Sequence, residues 1–115
     1  MIEISVCRSG AGEIVSLSVE GHARFDNEAG GDIVCSAVSA LVGFLGIIFS
    51  EVLPGRGELG AEDGQFWLKI FPEFQEEPEV SAVLRGWVLS LRQLEENYQG
   101  WVKLEESFDR NLEQQ

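Results

Sequence analysis

Residues 32–55 read DIVCSAVSALVGFLGIIFSEVLPG, and the way they fold decides how everything else packs. Asp32 is a side chain that caps helix N-termini, while Pro54 and Gly55 stop helices, so the stretch predicts a helix from Ile33 to about Leu53. Ile33, Val34, Ala37, Val38, Leu41, Phe44, Leu45, Ile47, Ile48, Phe49, Val52 and Leu53 leave it almost no polar face. Such a helix must be covered nearly all round. Residues 33–50 are 18 in number and uncharged, which only just reaches the length of a membrane span. Ser36, Ser39 and Ser50 interrupt the run and no Lys/Arg asymmetry flanks it, so no membrane contact is expected. The helix is expected to rest one side on a sheet and the other on a second helix or a subunit, with Gly43 and Gly46 admitting close approach.

The sheet is found by working outward. Ile2, Ile4 and Val6 alternate with Glu3, Ser5 and Cys7, and Val15, Leu17 and Val19 with Ser16, Ser18 and Glu20, the period of half-buried strands. The turn residues 9–12 make them a hairpin, with Ile2 opposite Val19, Ile4 opposite Leu17 and Val6 opposite Val15. Two short strands, at about 56–61 and 65–71, meet at Glu62-Asp63-Gly64, with Phe66, Leu68 and Ile70 on one face. Pro78 opens a second helix whose buried stripe is Val80, Val83, Leu84, Trp87, Val88, Leu91, Leu94 and Tyr98, with Arg92, Glu95 and Glu96 outside. Gly100 ends it, residues 101–105 read as a last strand, and residues 107–115 are expected to fray. Trp67, Trp87 and Trp101 are assigned to core or interface. The sum is one α+β domain over residues 1–115, a two-layer fold with a mainly antiparallel sheet and two helices in the order β-β-α-β-β-α-β.

Eight Lys and Arg against 20 Asp and Glu give a formal charge of −12, which repels phosphate backbones and disfavours direct nucleic acid binding. The same field attracts a basic polypeptide. No secretory signal pattern opens the chain, so Cys7 and Cys35 are read as reduced thiols in a cytoplasm.

Behind Asp32, Cys35 falls in the first turn of the predicted helix, where unpaired backbone N–H groups and the helix dipole favour a thiolate. The Asp32 carboxylate opposes that charge, so its part is capping and positioning. His22 is the sole imidazole in the chain. In the expected register Cys7 lies eight strand residues from it, roughly 26 Å at about 3.3 Å each, and is out of reach. That distance, and the absence of closely spaced ligand pairs, speaks against a Cys7/His22/Cys35 zinc site. A glycine-containing loop, by contrast, could fold His22 back over Cys35. These residue types fit a thiol nucleophile with its general base, and equally a buried cysteine that starts a core helix.

The run GHA at 21–23, then Gly30-Gly31-Asp32 and DIVCSAVSAL, resembles the signature of the ribosomal-processing cysteine protease family (Prp) of bacteria. The resemblance covers essentially the whole chain, with a His-to-Cys interval one residue longer than the commonest form. It implies His22 as base and Cys35 as nucleophile, with Gly30 matching the glycine two before the capping aspartate. It further implies a cytoplasmic, homodimeric endopeptidase that removes a short N-terminal extension from a large-subunit ribosomal protein, without metal or cofactor. The residues from Ala23 to Gly31, hinged at Gly30 and Gly31, are expected to close over an extended substrate. Two rivals stand beside this reading: a non-catalytic interaction module of ribosome assembly with Cys35 as packing, and a peroxide-sensing thiol.

Overall fold

The structure, a computed structural model, describes residues 1–21 and 31–108, with the backbone alone at residues 31 and 32. The hydrophobic alternation produces the expected strands β1 (Ile2–Arg8) and β2 (Ile14–Glu20). The long apolar run forms α1 (Gly31–Ile47), which continues into a π-helical turn at Ile48–Val52 closed by the Leu53 N–H donating to the Ile48 carbonyl at 2.7 Å. There follow β3 (Gly57–Glu62), β4 (Gln65–Ile70), α2 (Pro78–Asn97) and β5 (Val102–Phe108). The five strands form one sheet in the order β3-β4-β2-β1-β5, antiparallel except for the β1–β5 pair.

One face of the sheet makes the core. Ile2, Ile4, Val6, Leu17, Val19, Phe66, Leu68, Ile70, Val102 and Leu104 pack in a single cluster with Val34, Val38, Leu45 and Phe49 of the first helical segment and Val80, Leu84, Trp87, Val88 and Leu91 of α2. Trp87 is buried, and its indole N–H donates to the Leu41 carbonyl at 2.9 Å, bolting α2 to α1. On the opposite face stand Glu3, Ser5, Cys7, Ser16, Ser18, Glu20, Trp67 and Lys69, open or partly open to water. The architecture is therefore the two-layer α+β arrangement anticipated from the element order.

The hairpin register differs from expectation by two residues. Ile4 faces Val19 and Val6 faces Leu17, while Cys7 faces Ser16 and Arg8 faces Ile14, so Val15 is an extra residue in a bulge. The connection is one residue longer than a plain turn over 9–12, running from 9 to 13: Ser9 N–H donates to the Glu13 carbonyl, Gly12 N–H to the Ser9 carbonyl, and Gly12 takes φ +89. A slip of two preserves which side chains share a face. The bulge then hands the inward position from Val15 to Ile14, which joins the core cluster.

Other differences are local. α1 begins two residues before the expected start, so Asp32 lies within its first turn instead of ahead of it. A Cβ added at Gly43 or Gly46 would meet nothing within 4 Å, so neither glycine serves a close helix contact within the described chain. Ser107 and Phe108 do not fray; they pair with Cys7 and Arg8. An ion network explains this order. Glu106 accepts from Arg8 at 2.7 Å and from Arg92, and Arg92 also reaches Glu95 at 3.2 Å. The hydrogen bonds from Arg92 and Arg8 hold the Glu106 carboxyl below its ordinary pKa. Glu95, placed outside by the helical spacing, is half-buried and accepts the Leu104 N–H at 2.7 Å.

Candidate active site

Cys35 is the fifth residue of α1, one turn from its start. Side chains in a helix lean toward its N-terminus, so the Cys35 side chain leans toward the first turn, whose N–H groups have no intrahelical acceptor. It is also 5% exposed and part of the core cluster. Its neighbours in sequence divide sharply: Val34 is fully buried and Ile33 is 58% exposed. The nucleophile candidate thus sits where the buried face of α1 begins. His22 and Gly30, the other residues singled out as base and hinge, lie outside the described residues, as does the 23–30 stretch expected to close over a substrate. For Gly31 and Asp32 only the helical backbone is described.

Cys7 is separated from Cys35 by the sheet. It lies on the face away from the helices, opposite Ser16 on one side and Ser107 on the other. The corrected register brings it two residues nearer the end of β2, about 7 Å of strand, but the two thiols occupy opposite faces. They cannot share one metal ion. Among the described residues no group of three or more His, Cys, Asp or Glu is arranged to hold a metal.

The chain leading to His22 is fixed at Gly21. Its N–H donates to the Gly64 carbonyl at 3.1 Å, it takes φ +87, and a Cβ there would stand 2.9 Å from the Met1 carbonyl oxygen. Only glycine meets all three conditions. Gly64 belongs to the two-residue Asp63–Gly64 turn between β3 and β4, both residues with positive φ, the backbone of a type I′ hairpin. Beside this junction lies an open hollow of about 450 Å³ bordered by Glu3, Glu20, Gly21, Asp63 and Gly64. Sequence reasoning found the turn but missed its bond to Gly21; a glycine directly after a strand was the available signal.

The face of α1 turned from the core is apolar as well. Ile33, Phe44 and Ile47 are 58%, 46% and 57% exposed, and with Ala37 and Ala40 they follow a 4-3-4-3 spacing along one stripe. Length and composition alone would let Ile33–Val52 cross a membrane. One of its faces is accounted for by the core and the other by this stripe.

Comparisons with known proteins agree with the fold. A family described as cysteine protease Prp matches residues 1–103. Among solved structures, SMU.848 from Streptococcus mutans superposes with a TM-score of 0.82 at 24% identity, covering 95% of this chain and 99% of that one, a likeness of fold. The essential ribosomal processing protease Prp from S. aureus, in complex with a substrate peptide, gives a TM-score of 0.77 at 25% identity over 92% of this chain and 99% of that one. The same protease with a covalently linked product peptide gives 0.76 at 26% identity over the same shares. No curated protein matches the sequence.

Proposed function

The chain belongs to the cysteine protease Prp family, and from that premise we propose that Cys35 is the nucleophile and His22 the general base of an endopeptidase that trims a short N-terminal extension from a large-subunit ribosomal protein. The observation that carries the assignment is the position of Cys35, in the opening turns of α1 within a chain of this family. His22 withdraws the thiol proton, the sulfur attacks the scissile carbonyl carbon, and backbone N–H groups of the first turn of α1 hold the resulting oxyanion. His22 then gives the proton to the leaving amine, and water hydrolyses the thioester to free the enzyme. The S. aureus relative with a covalently linked product peptide supports a nucleophilic route of this kind.

The substrate is a basic precursor, drawn to a chain of charge −12, and the reaction needs neither metal nor cofactor. The enzyme acts in the cytoplasm, without direct contact to nucleic acid or membrane. It works as a homodimer, with the Ile33, Phe44 and Ile47 stripe of α1 as the face that a second copy covers.

One observation favours the rival reading of a non-catalytic assembly module. Cys35 is 5% exposed and packs in the core, as a purely structural cysteine would. The two readings separate in an alkylation experiment. By exposure alone the partly exposed Cys7 reacts first. An active dyad reverses that order: iodoacetamide near pH 7 should modify Cys35 well ahead of Cys7, and His22→Ala should remove the advantage. A peptide copied from the N-terminus of the same organism's ribosomal protein should be cut by the parent and not by Cys35→Ser. Sluggish modification of Cys35, or undiminished cutting by Cys35→Ser, overturns the assignment.

A further inference from the structure

The sheet has two edges, and they are finished differently. At β5 the outward N–H of Leu104 is taken by the Glu95 carboxylate at 2.7 Å. At β3 two hydrogen bonds fix which backbone groups point where. Phe71 N–H donates to the Arg56 carbonyl, so Arg56/Phe71 is a bonded pair; continuing the register by twos, so are Glu58/Lys69, Gly60/Trp67 and Glu62/Gln65. Gly21 N–H donating to Gly64 gives the same parity from the other side of β4, because it turns Phe66 and Leu68 toward β2 and leaves Gln65, Trp67 and Lys69 for β3. The N–H and C=O groups of Gly57, Leu59 and Ala61 therefore face outward, and among the described residues none has a protein partner.

Edges left in this condition are usually blunted by charged side chains, lysine above all, by a proline, a bulge or a covering element. The β3 sequence GELGAE has no lysine or proline, and its pairing with β4 runs without a register shift. Its small residues Gly57, Gly60 and Ala61 put no bulky side chain of their own along the edge, and the Trp67 indole lies across Gly60, where an added Cβ would stand 2.7 Å from the ring. Glu58 and Glu62 lie on the outer face of the sheet, in the row of Trp67 and Lys69, while Leu59, 36% exposed, shares the inner face with Leu68. A strand laid along this edge would meet the carboxylates of Glu58 and Glu62, with the Trp67 indole between them, on one face and Leu59 on the other. A second copy of the edge would set glutamate against glutamate, which like charges on opposed strands disfavour. An extended segment with basic residues at alternate positions and apolar ones between them satisfies both faces. β3 ends at the Asp63–Gly64 turn, which is bonded to Gly21, the residue next to His22 in the chain.

We propose that the free edge of β3 is the docking strand for the substrate: an extended basic segment of the precursor adds as a sixth strand, bonded to the backbone of Gly57, Leu59 and Ala61 and paired in charge with Glu58 and Glu62. This rests on the protease reading and names the part of the substrate that is held away from the scissile bond. Because the ladder groups of Ala61 point outward, Ala61→Pro removes no β3–β4 hydrogen bond, yet it takes away a donor and places a ring in the path of the added strand.

The test measures binding, separately from cleavage. A fluorescein-labelled peptide in which Lys alternates with Val is titrated into the Cys35→Ser protein at low salt and followed by anisotropy; a peptide of equal composition with its lysines grouped together serves as control. The alternating peptide should bind at least tenfold more tightly than the grouped one. Ala61→Pro and the double change Glu58→Lys, Glu62→Lys should each weaken it about tenfold, the double change keeping the test decisive if the proline variant does not fold. Equal binding of the two peptides, or dissociation constants unmoved by the double change, overturns the proposal. Preferential alkylation of Cys35 together with such a null result removes the docking strand and leaves the protease standing. Peptide binding with an inert Cys35 does the reverse.

Discussion

Replacing Ile47 by Asp tests whether the outer stripe of α1 is an interface. Ile47 is 57% exposed and Ile33 and Phe44 are 58% and 46% exposed, so about half of each side chain is still available to bury. Full burial of such a side chain is worth roughly 1.5–3 kcal/mol, so the exposed halves contribute about 1 kcal/mol each, or about 6 kcal/mol for three residues on each of two protomers. Association itself costs ~4–15 kcal/mol in lost freedom, so these three side chains alone fall short of a stable dimer; one forms only where the surface around the stripe adds to them, and it is then sensitive to a single change. Ile47→Asp on both copies removes about 2 kcal/mol before charge repulsion is counted, which corresponds to roughly 30-fold weaker association. Sedimentation velocity over a concentration series should show the parent as a dimer and the variant shifted to monomer. The fold should not suffer, since a change at an exposed helix position typically alters stability by less than about 0.5 kcal/mol. A parent that stays monomeric throughout, or a variant whose profiles superimpose on a dimeric parent, would refute the reasoning.

Two further outcomes follow from the frame of the fold. Glu106→Gln should lose its pairing with Arg8 and Arg92, lowering stability near pH 7 by about 1 kcal/mol, because partly exposed pairs are screened. Since the folded carboxyl titrates below its ordinary value of 4.5, that contribution is complete above about pH 4.5 and disappears as the pH falls through the lower folded value. Urea melts of parent and variant should therefore differ at pH 7 and converge in acid; a constant difference at all pH values would contradict this. Gly86→Ala, at an exposed site of α2 where an added Cβ meets nothing within 4 Å, should stabilise the fold by about 0.8–1 kcal/mol, a rise in Tm of about 4 °C, and a fall would show an unrecognised contact.

How much was legible in the sequence depended on the range of the physics involved. Period-two alternation in Ile2–Val6 and Leu17–Val19 is a local signal, and it placed the right side chains on the core face. The register was decided by the five residues 9–13, with Gly12 at φ +89, and by the extra residue Val15 in β2, which leave the alternation of Ile2–Val6 and Leu17–Val19 intact. Nothing in the apolar pattern distinguishes two registers that differ by two. The ordering of Ser107 and Phe108 had the same origin. It comes from Glu106 meeting Arg8 and Arg92, and the partners lie up to 98 residues apart in the chain. Asp32 was read as the residue before the helix because capping chemistry and first-turn chemistry favour the same side chain, so one residue type could not fix the boundary.

Cys35 was singled out by its place before the apolar run, and of the two environments weighed for it the structure shows the buried one. The apolar run showed that the helix is buried but not which arc of it, and the cysteine falls beside Val34 and Val38, both with no exposed surface. That placement restricts how the thiol could work. With the core closing its flank, the proposed mechanism would have a carbonyl meet the sulfur from the N-terminal end of α1, where the first-turn N–H groups point out along the helix axis. In that mechanism a substrate arriving there would bring its carbonyl oxygen to the donors as the carbon meets the sulfur, and the packing around Cys35 would set the direction of attack. The same burial excludes water from the sulfur and strengthens every polar interaction made to it. A cysteine on the open face, such as Cys7 above Ser16 and Ser107, has neither constraint. The low exposure that seems to argue for an inert thiol is therefore also the condition under which one helix end can both orient and stabilise an acyl transfer, and only the relative reactivity of the two cysteines separates these consequences.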